Sequence, residues 1–329
     1  MPTMPAVVSA AGAAAPCSNV VEDLVGFLRV LSDGTILRSP GPVFCPSTFP
    51  GEHPSVEWKE AVYDKPKNLH VRMYKPSPAS GGVGAGGGGK LPVLVYFHGG
   101  GFCLGSCTWA NVHSFCLRLA ADAGAVVLSA GYRLAPGGPS STGSGNAPST
   151  ATATATDGGS PRPPTSAASH HLAVRAGSAA AAAPDDPVAI RGYVLLMPFF
   201  GGVSRTPSEA GCPAEVFLNL DLFDRFWQLS LPPGATRDHP MANPFGPDSP
   251  AMDGVELPPV LVVAGGLDML RDRAVDYAER LSAMGKPVEL AEFAGEHHGF
   301  FTLGPGSDAA GELIAAVARF VDVAAPPPK

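Results

Sequence analysis

Residues 91–102 read Leu-Pro-Val-Leu-Val-Tyr-Phe-His-Gly-Gly-Gly-Phe, an apolar run that breaks, after one histidine, into three glycines. A run this short and this apolar, closed by a glycine turn, is expected to form a strand buried on both faces. The pattern recurs along the chain: residues 125–130 (AVVLSA), 191–198 (RGYVLLMP), 259–264 (PVLVVA) and 287–293 read as further strands. Upstream, 56–63 and 69–74 read as neighbouring strands in antiparallel pairing. Helices fall between them. Residues 112–123 form one, and 271–284 another, with Ala274, Tyr277, Ala278, Leu281 and Met284 on one face and Gly285 at its stop. The last, over 312–321, carries Leu313, Val317, Phe320 and Val321 on a common stripe. Strands alternating with helices specify an α/β fold, a mainly parallel sheet with helices on both faces. Sites on such sheets lie at the carboxyl ends of the strands.

The 329 residues suffice for one such domain, and a net charge of −7 gives no reason to expect nucleic acid or an anionic membrane as partner. No run of eighteen uncharged apolar residues occurs, so no membrane span is expected. The opening MPTMPAVVSAAGAAAPCSN has neither a basic start nor a leucine-rich core, and no Arg precedes Arg29. Neither a secretory leader nor a transit peptide is expected, and the cytoplasm is the expected location. Six cysteines (Cys17, Cys45, Cys103, Cys107, Cys116, Cys212) in a chain of this length do not make a disulfide scaffold. Cys103 and Cys107 lack partners at ligand spacing, so no metal is expected. The expected organisation is a disordered tail over 1–19, a single domain over 20–325 and a short tail over 326–329.

Two low-complexity runs interrupt that domain. Residues 81–89 (GGVGAGGGG) read as a flexible connection; the GxxxxGK pattern ending at Lys90 is followed by Leu91 and a strand, which does not suit a phosphate loop. Residues 137–169 contain no Val, Ile, Leu, Met, Phe, Tyr, Trp or Cys. A segment of that composition cannot bury enough apolar surface to offset its ordering entropy and is expected to be disordered.

Three chemically pointed segments follow strand ends. In His98-Gly99-Gly100-Gly101-Phe102, glycines let backbone N–H groups converge without Cβ obstruction, as an oxyanion hole requires. In Gly265-Gly266-Leu267-Asp268, a carboxylate stands where it can orient an imidazole; alone, it would read as a helix cap. In Gly295-Glu296-His297-His298-Gly299-Phe300, a histidine stands where it can act as general base and then general acid.

Together with Tyr132-Arg133-Leu134-Ala135-Pro136, SRTPSE (204–209), LPPGATRDHPMANPFGP (231–247) and LSDGTILRSP near the start, these motifs resemble the hormone-sensitive-lipase-related branch of the α/β hydrolases. Within it, the chain is most similar to plant carboxylesterases, over roughly 20–136 and 170–325. The resemblance implies an ester hydrolase working through an acyl-enzyme on a small-molecule ester, with no cofactor. Gly99, Gly100 and Gly101 would form the oxyanion hole, and Asp268 would orient His298, with His297 a neighbour. The segment 20–47 would fold over the pocket as part of a lid, and a helix over 220–229, including Trp227, would help to form the pocket. Neither the substrate nor the oligomeric state is legible.

One element of the family's pattern is missing. The nucleophile serine belongs in a Gly-Asp-Ser-Ala-Gly-like elbow between the YRLAP segment and a His-His helix, which His170-His171 resembles. Only the 137–169 run lies there, and no G-x-S-x-G occurs anywhere in the chain. The helix and central strand expected in that interval are missing with it, which would leave the sheet open in its middle. The Ala, Pro, Gly, Ser and Thr bias of the run suits GC-rich codons read in a shifted frame. The same family includes the gibberellin receptors, which hold a hormone in the hydrolase pocket and characteristically lose the histidine while keeping the serine. This chain does the reverse.

Overall fold

The computed structural model describes residues 18–41, 49–77, 91–137 and 190–324. Residues 1–17 of the first tail, the last tail, the 81–89 connection and, apart from Gly137, the 137–169 run lie outside the described residues, as does the His170-His171 segment.

Among the described residues ten strands make three sheets. A small antiparallel one joins β1 (Val20–Leu24), β2 (Leu28–Leu31) and β3 (Ile36–Arg38) in that order. The second has the order β4-β5-β7-β6, from β4 (Val56–Asp64), β5 (Leu69–Pro76), β6 (Val93–Phe97) and β7 (Val126–Ala130). As expected, β4 and β5 are antiparallel; β6 and β7 are parallel. The third is wholly parallel, β8 (Tyr193–Leu196), β9 (Val260–Gly265) and β10 (Val288–Phe293), with β9 central.

Six helices are described: α1 (Ala110–Asp122), α2 (Pro207–Ala210), α3 (Leu220–Ser230), α4 (Arg271–Ala283), α5 (Phe300–Leu303) and α6 (Asp308–Ala324). The β9 strand shows why the layers form. Leu261 and Val263 pack with Phe115 of α1 and with Leu313 and Val317 of α6; Val260, Val262 and Ala264 pack with Ala274, Tyr277 and Leu281 of α4. Side chains alternate across a strand, so one apolar run is covered by helices on both faces. Val127 of β7 joins the α1–α6 core, so the second and third sheets share it.

Two details depart from expectation. The last helix starts at Asp308 rather than at residue 312, because the Ser307 hydroxyl accepts the Ala310 N–H at 3.1 Å and closes the first turn. The second departure is the contrast between two equally apolar strands. Every residue of β9 is buried, whereas Val93 and Val95 of β6 are 59% and 56% exposed. Among the described residues β6 pairs only with β7, and β8 only with β9. Among the described residues no strand joins the edge strand β6 of the second sheet to the edge strand β8 of the third, and that interval is where the resemblance places the central strand. Each of these valines forgoes more than half of what full burial gives, about 1.5 kcal/mol or more.

Candidate active site

The loop after β6 is fixed through its carbonyls. The His98 carbonyl accepts the Tyr132 hydroxyl at 2.7 Å, and that of Gly99 lies 2.8 Å from Nδ1 of His98. The Gly100 carbonyl accepts the N–H groups of Cys103 and Leu104 at 3.0 and 2.9 Å, and that of Gly101 accepts the Ser230 hydroxyl at 3.1 Å. The Phe102 carbonyl accepts the Ala135 N–H at 2.9 Å, and that of Cys103 accepts the Arg38 guanidinium at 3.4 Å. Six successive carbonyls are thus engaged. By contrast, the N–H groups of Gly99, Gly100, Gly101 and Phe102 donate to nothing among the described residues. Carbonyl and N–H of one planar peptide point in opposite directions, so holding the first aims the second. The result is a row of N–H donors without acceptors, which suits an oxyanion.

Glycine is required at two of these positions. Gly100 and Gly101 have φ of +129° and +54°. A Cβ on Gly100 would run into the Leu104 carbonyl, and one on Gly101 would lie 2.6 Å from the Phe226 ring. Phe102 also holds a left-handed φ of +64°, with its ring packed against Phe199 and Trp227. His98 is buried and flat against Tyr132, and burial lowers its pKa to about 4. It is therefore a neutral structural residue.

Asp268 and His298 meet as the chain order implied. Nδ1 of His298 lies 2.8 Å from Oδ2 of Asp268, and Oδ1 of Asp268 accepts the Leu270 N–H at 2.9 Å. The carboxylate thus caps the approach to α4 and holds the imidazole at once. Both alternatives read from the sequence apply to the same side chain. The loops are drawn together by backbone bonds, Gly266 N–H to the Phe293 carbonyl at 2.8 Å and Leu267 N–H to the Glu296 carbonyl at 3.0 Å. A Cβ on Gly266 would strike the Ala294 carbonyl, so the approach needs glycine there. Asp268 is 4% exposed and His298 partly buried, while His297 faces solvent. A carboxylate accepts, so Nδ1 carries the proton in this contact and Nε2 has no partner among the described residues.

A family model described as α/β hydrolase fold matches residues 94–156 and 167–302. The chain is an α/β hydrolase. The model's match to this hydrolase breaks over the ten residues from 157 to 166. The gibberellin receptor GID1C of Arabidopsis thaliana is 32% identical over 289 residues, 80% of each chain. Probable carboxylesterase 6 of the same plant is 30% identical over 273 residues, 79% of each chain. Among solved structures, the Pyrobaculum calidifontis esterase superposes with a TM-score of 0.56 at 24% identity, covering 81% of this chain and 84% of that one. That likeness speaks to the fold alone.

The described part of the segment 20–47 and the helix over 220–229, which the resemblance placed about the pocket, pack together beside the loop after β6. Leu24, Phe27 and Leu28 of the small sheet pack with Phe223, Phe226 and Trp227 of α3, beside Phe102 and Leu104. Arg38 ties this sheet to the carbonyls of Cys103, Ala135 and Pro136. Gly299 donates its N–H to the Met197 sulfur at 3.0 Å, so the end of β8 supports the turn that carries His298. No group of three His, Cys, Asp or Glu able to hold a metal ion lies among the described residues.

Proposed function

We propose that this is the site of a carboxylic ester hydrolase, complete in its acid, its histidine and its oxyanion hole, and without an identifiable nucleophile. The observation that carries the reading is the loop 98–103, with every carbonyl engaged and the N–H groups of Gly99–Phe102 left over. In an enzyme of this type a hydroxyl attacks the ester carbonyl, and Nε2 of the histidine takes its proton and passes it to the leaving alcohol. Water then repeats the sequence on the acyl-enzyme. Here His298 and Asp268 would do that work, and Gly99, Gly100 and Gly101 would hold the negative oxygen, with no cofactor. Among the described residues no hydroxyl is hydrogen-bonded to the His298 ring, whose partner is Asp268. On this reading the chain as written is inactive. The free thiols of Cys103, Cys107, Cys116 and Cys212 suit a reducing cytoplasm.

The test is fluorophosphonate labelling of the purified chain, with turnover of a p-nitrophenyl acyl ester. Neither signal is expected above that of the denatured protein. Stoichiometric labelling would overturn the assignment of inactivity.

A second reading, small-molecule binding without chemistry, is favoured by the similarity to a gibberellin receptor. The His298–Asp268 pair weighs against it, because a binding pocket has no need of an imidazole held in one tautomer. A labelled-gibberellin binding assay separates the two.

A further inference from the structure

We infer that Ser230, the last residue of α3, is a positioning residue for the anion-accepting loop, holding the Gly101 carbonyl so that the Phe102 N–H joins the row of free donors. The inference rests on the reading of that loop given above.

The Gly101–Phe102 peptide is planar, so its carbonyl and N–H cannot be aimed separately. Two of the neighbouring planes are set from within the loop, Gly99–Gly100 by the His98 ring and Gly100–Gly101 by the Cys103 and Leu104 N–H groups. The Gly101–Phe102 plane is set from a helix far along the chain, by the Ser230 hydroxyl at 3.1 Å. A hydroxyl has one proton, and Ser230 spends it on Gly101. The Cys103 sulfur lies 3.3 Å from the same oxygen and 4.0 Å from the Phe226 carbonyl, so the serine is the nearer acceptor for its proton. Burial raises the Cys103 thiol to about 11, so it keeps the proton that this requires.

A closed relay follows, from Cys103 S–H to Ser230 O–H to the Gly101 carbonyl, beginning and ending in the same loop. Ser230 and Cys103 are both fully buried, so water does not compete for either bond. One turn earlier, Phe226 fills the space that a side chain on Gly101 would need. The helix thus grips the loop at two points, one apolar and one polar, and the polar one has a direction.

If Ser230 only satisfied its own hydroxyl, the peptide beyond it would be indifferent to its loss. The experiment is nuclear magnetic resonance on the isotopically labelled full chain, comparing wild type with Ser230→Ala and Ser230→Thr. In Ser230→Ala the Gly101 carbonyl and Phe102 amide resonances should move while those of Gly99 and Gly100 stay in place, and Ser230→Thr should restore both. Unmoved Gly101 and Phe102 resonances in folded Ser230→Ala would overturn the inference.

Titration with sodium butyrate, as the anion probe, tests what the positioning is for. The Gly99–Phe102 amides should respond in wild type, with affinity about tenfold weaker in Ser230→Ala, the worth of about one hydrogen bond. Equal affinity in the two proteins would likewise overturn the role of Ser230. Silence of all four amides in wild type would instead remove the anion-hole reading, and the resonance comparison would still decide what Ser230 does to its peptide.

Discussion

The imidazole of His98 lies flat against the ring of Tyr132, 4.4 Å between centroids and 18° from parallel, while the Tyr132 hydroxyl reaches over to the His98 carbonyl at 2.7 Å. The stack and the hydrogen bond separate cleanly in Tyr132→Phe. The ring remains, and a buried carbonyl loses its partner. The expected cost is about 1–3 kcal/mol, read as a lower urea midpoint at unchanged m-value.

His98 also gives the fold a pH signature. Burial holds its folded pKa at about 4, against about 6.5 in the unfolded chain. Between those values the unfolded state binds more protons, so this contribution is complete above pH 6.5 and is lost as pH falls towards 4. The slope is at most about 1.4 kcal/mol per pH unit. His113 is lowered by burial too and acts in the same direction, so the measurement is a difference. Urea unfolding of His98→Asn and wild type at pH 7 and pH 5 should show the smaller pH loss in the variant. Equal losses would assign the slope to other groups.

Three adjacent glycines should respond differently to one methyl group. An added Cβ meets nothing within 4 Å at Gly99, but meets the Leu104 carbonyl at Gly100 and the Phe226 ring at Gly101. Gly99→Ala should cost under about 1 kcal/mol. Gly100→Ala and Gly101→Ala, which also force a side chain to positive φ, should each cost about 2–4 kcal/mol. Thermal unfolding of the three variants gives the ranking.

Asp268 serves two partners, and two substitutions distinguish them. Asn keeps an oxygen for the Leu270 N–H, whereas Ala leaves that buried donor unpaired. Asp268→Ala should therefore be the less stable variant by about 1 kcal/mol or more in chemical unfolding. Equal stability would show that the cap contributes nothing.

The composition of residues 137–169 leads to a prediction about the message. Transcript sequencing across codons 130–175 should reveal a frame, or an exon boundary, different from the one that gives this chain, with a Gly-x-Ser-x-Gly elbow restored. An abundant message in the present frame would sink the idea.

Much of the fold was legible because both periodicities are strong where burial is complete. The run PVLVVA admits little besides a buried strand, and the order oxyanion loop, acid, histidine survives any uncertainty in element boundaries. The β1–β3 sheet was not legible as strands. Its strands have three to five residues, and Val20 and Val21 both face solvent, so no alternation marks them. What orders them is Leu24, Phe27 and Leu28 against α3, a tertiary effect with no local trace. Ser230 is invisible for a plainer reason. It acts on Gly101 across 129 positions of sequence, and a serine near a helix end reads as solvent-facing.

The exposed valines of β6 bear on the life of the chain in a cell more than on its chemistry. Val93 and Val95, exposed on a strand that among the described residues pairs on one side only, invite any extended segment that passes, including one from another copy. Proteins in that condition are retained by chaperones and removed by proteases, and their abundance follows the small fraction that escapes both. For this hydrolase, turnover of the polypeptide would limit what the cell sees before turnover of any ester could.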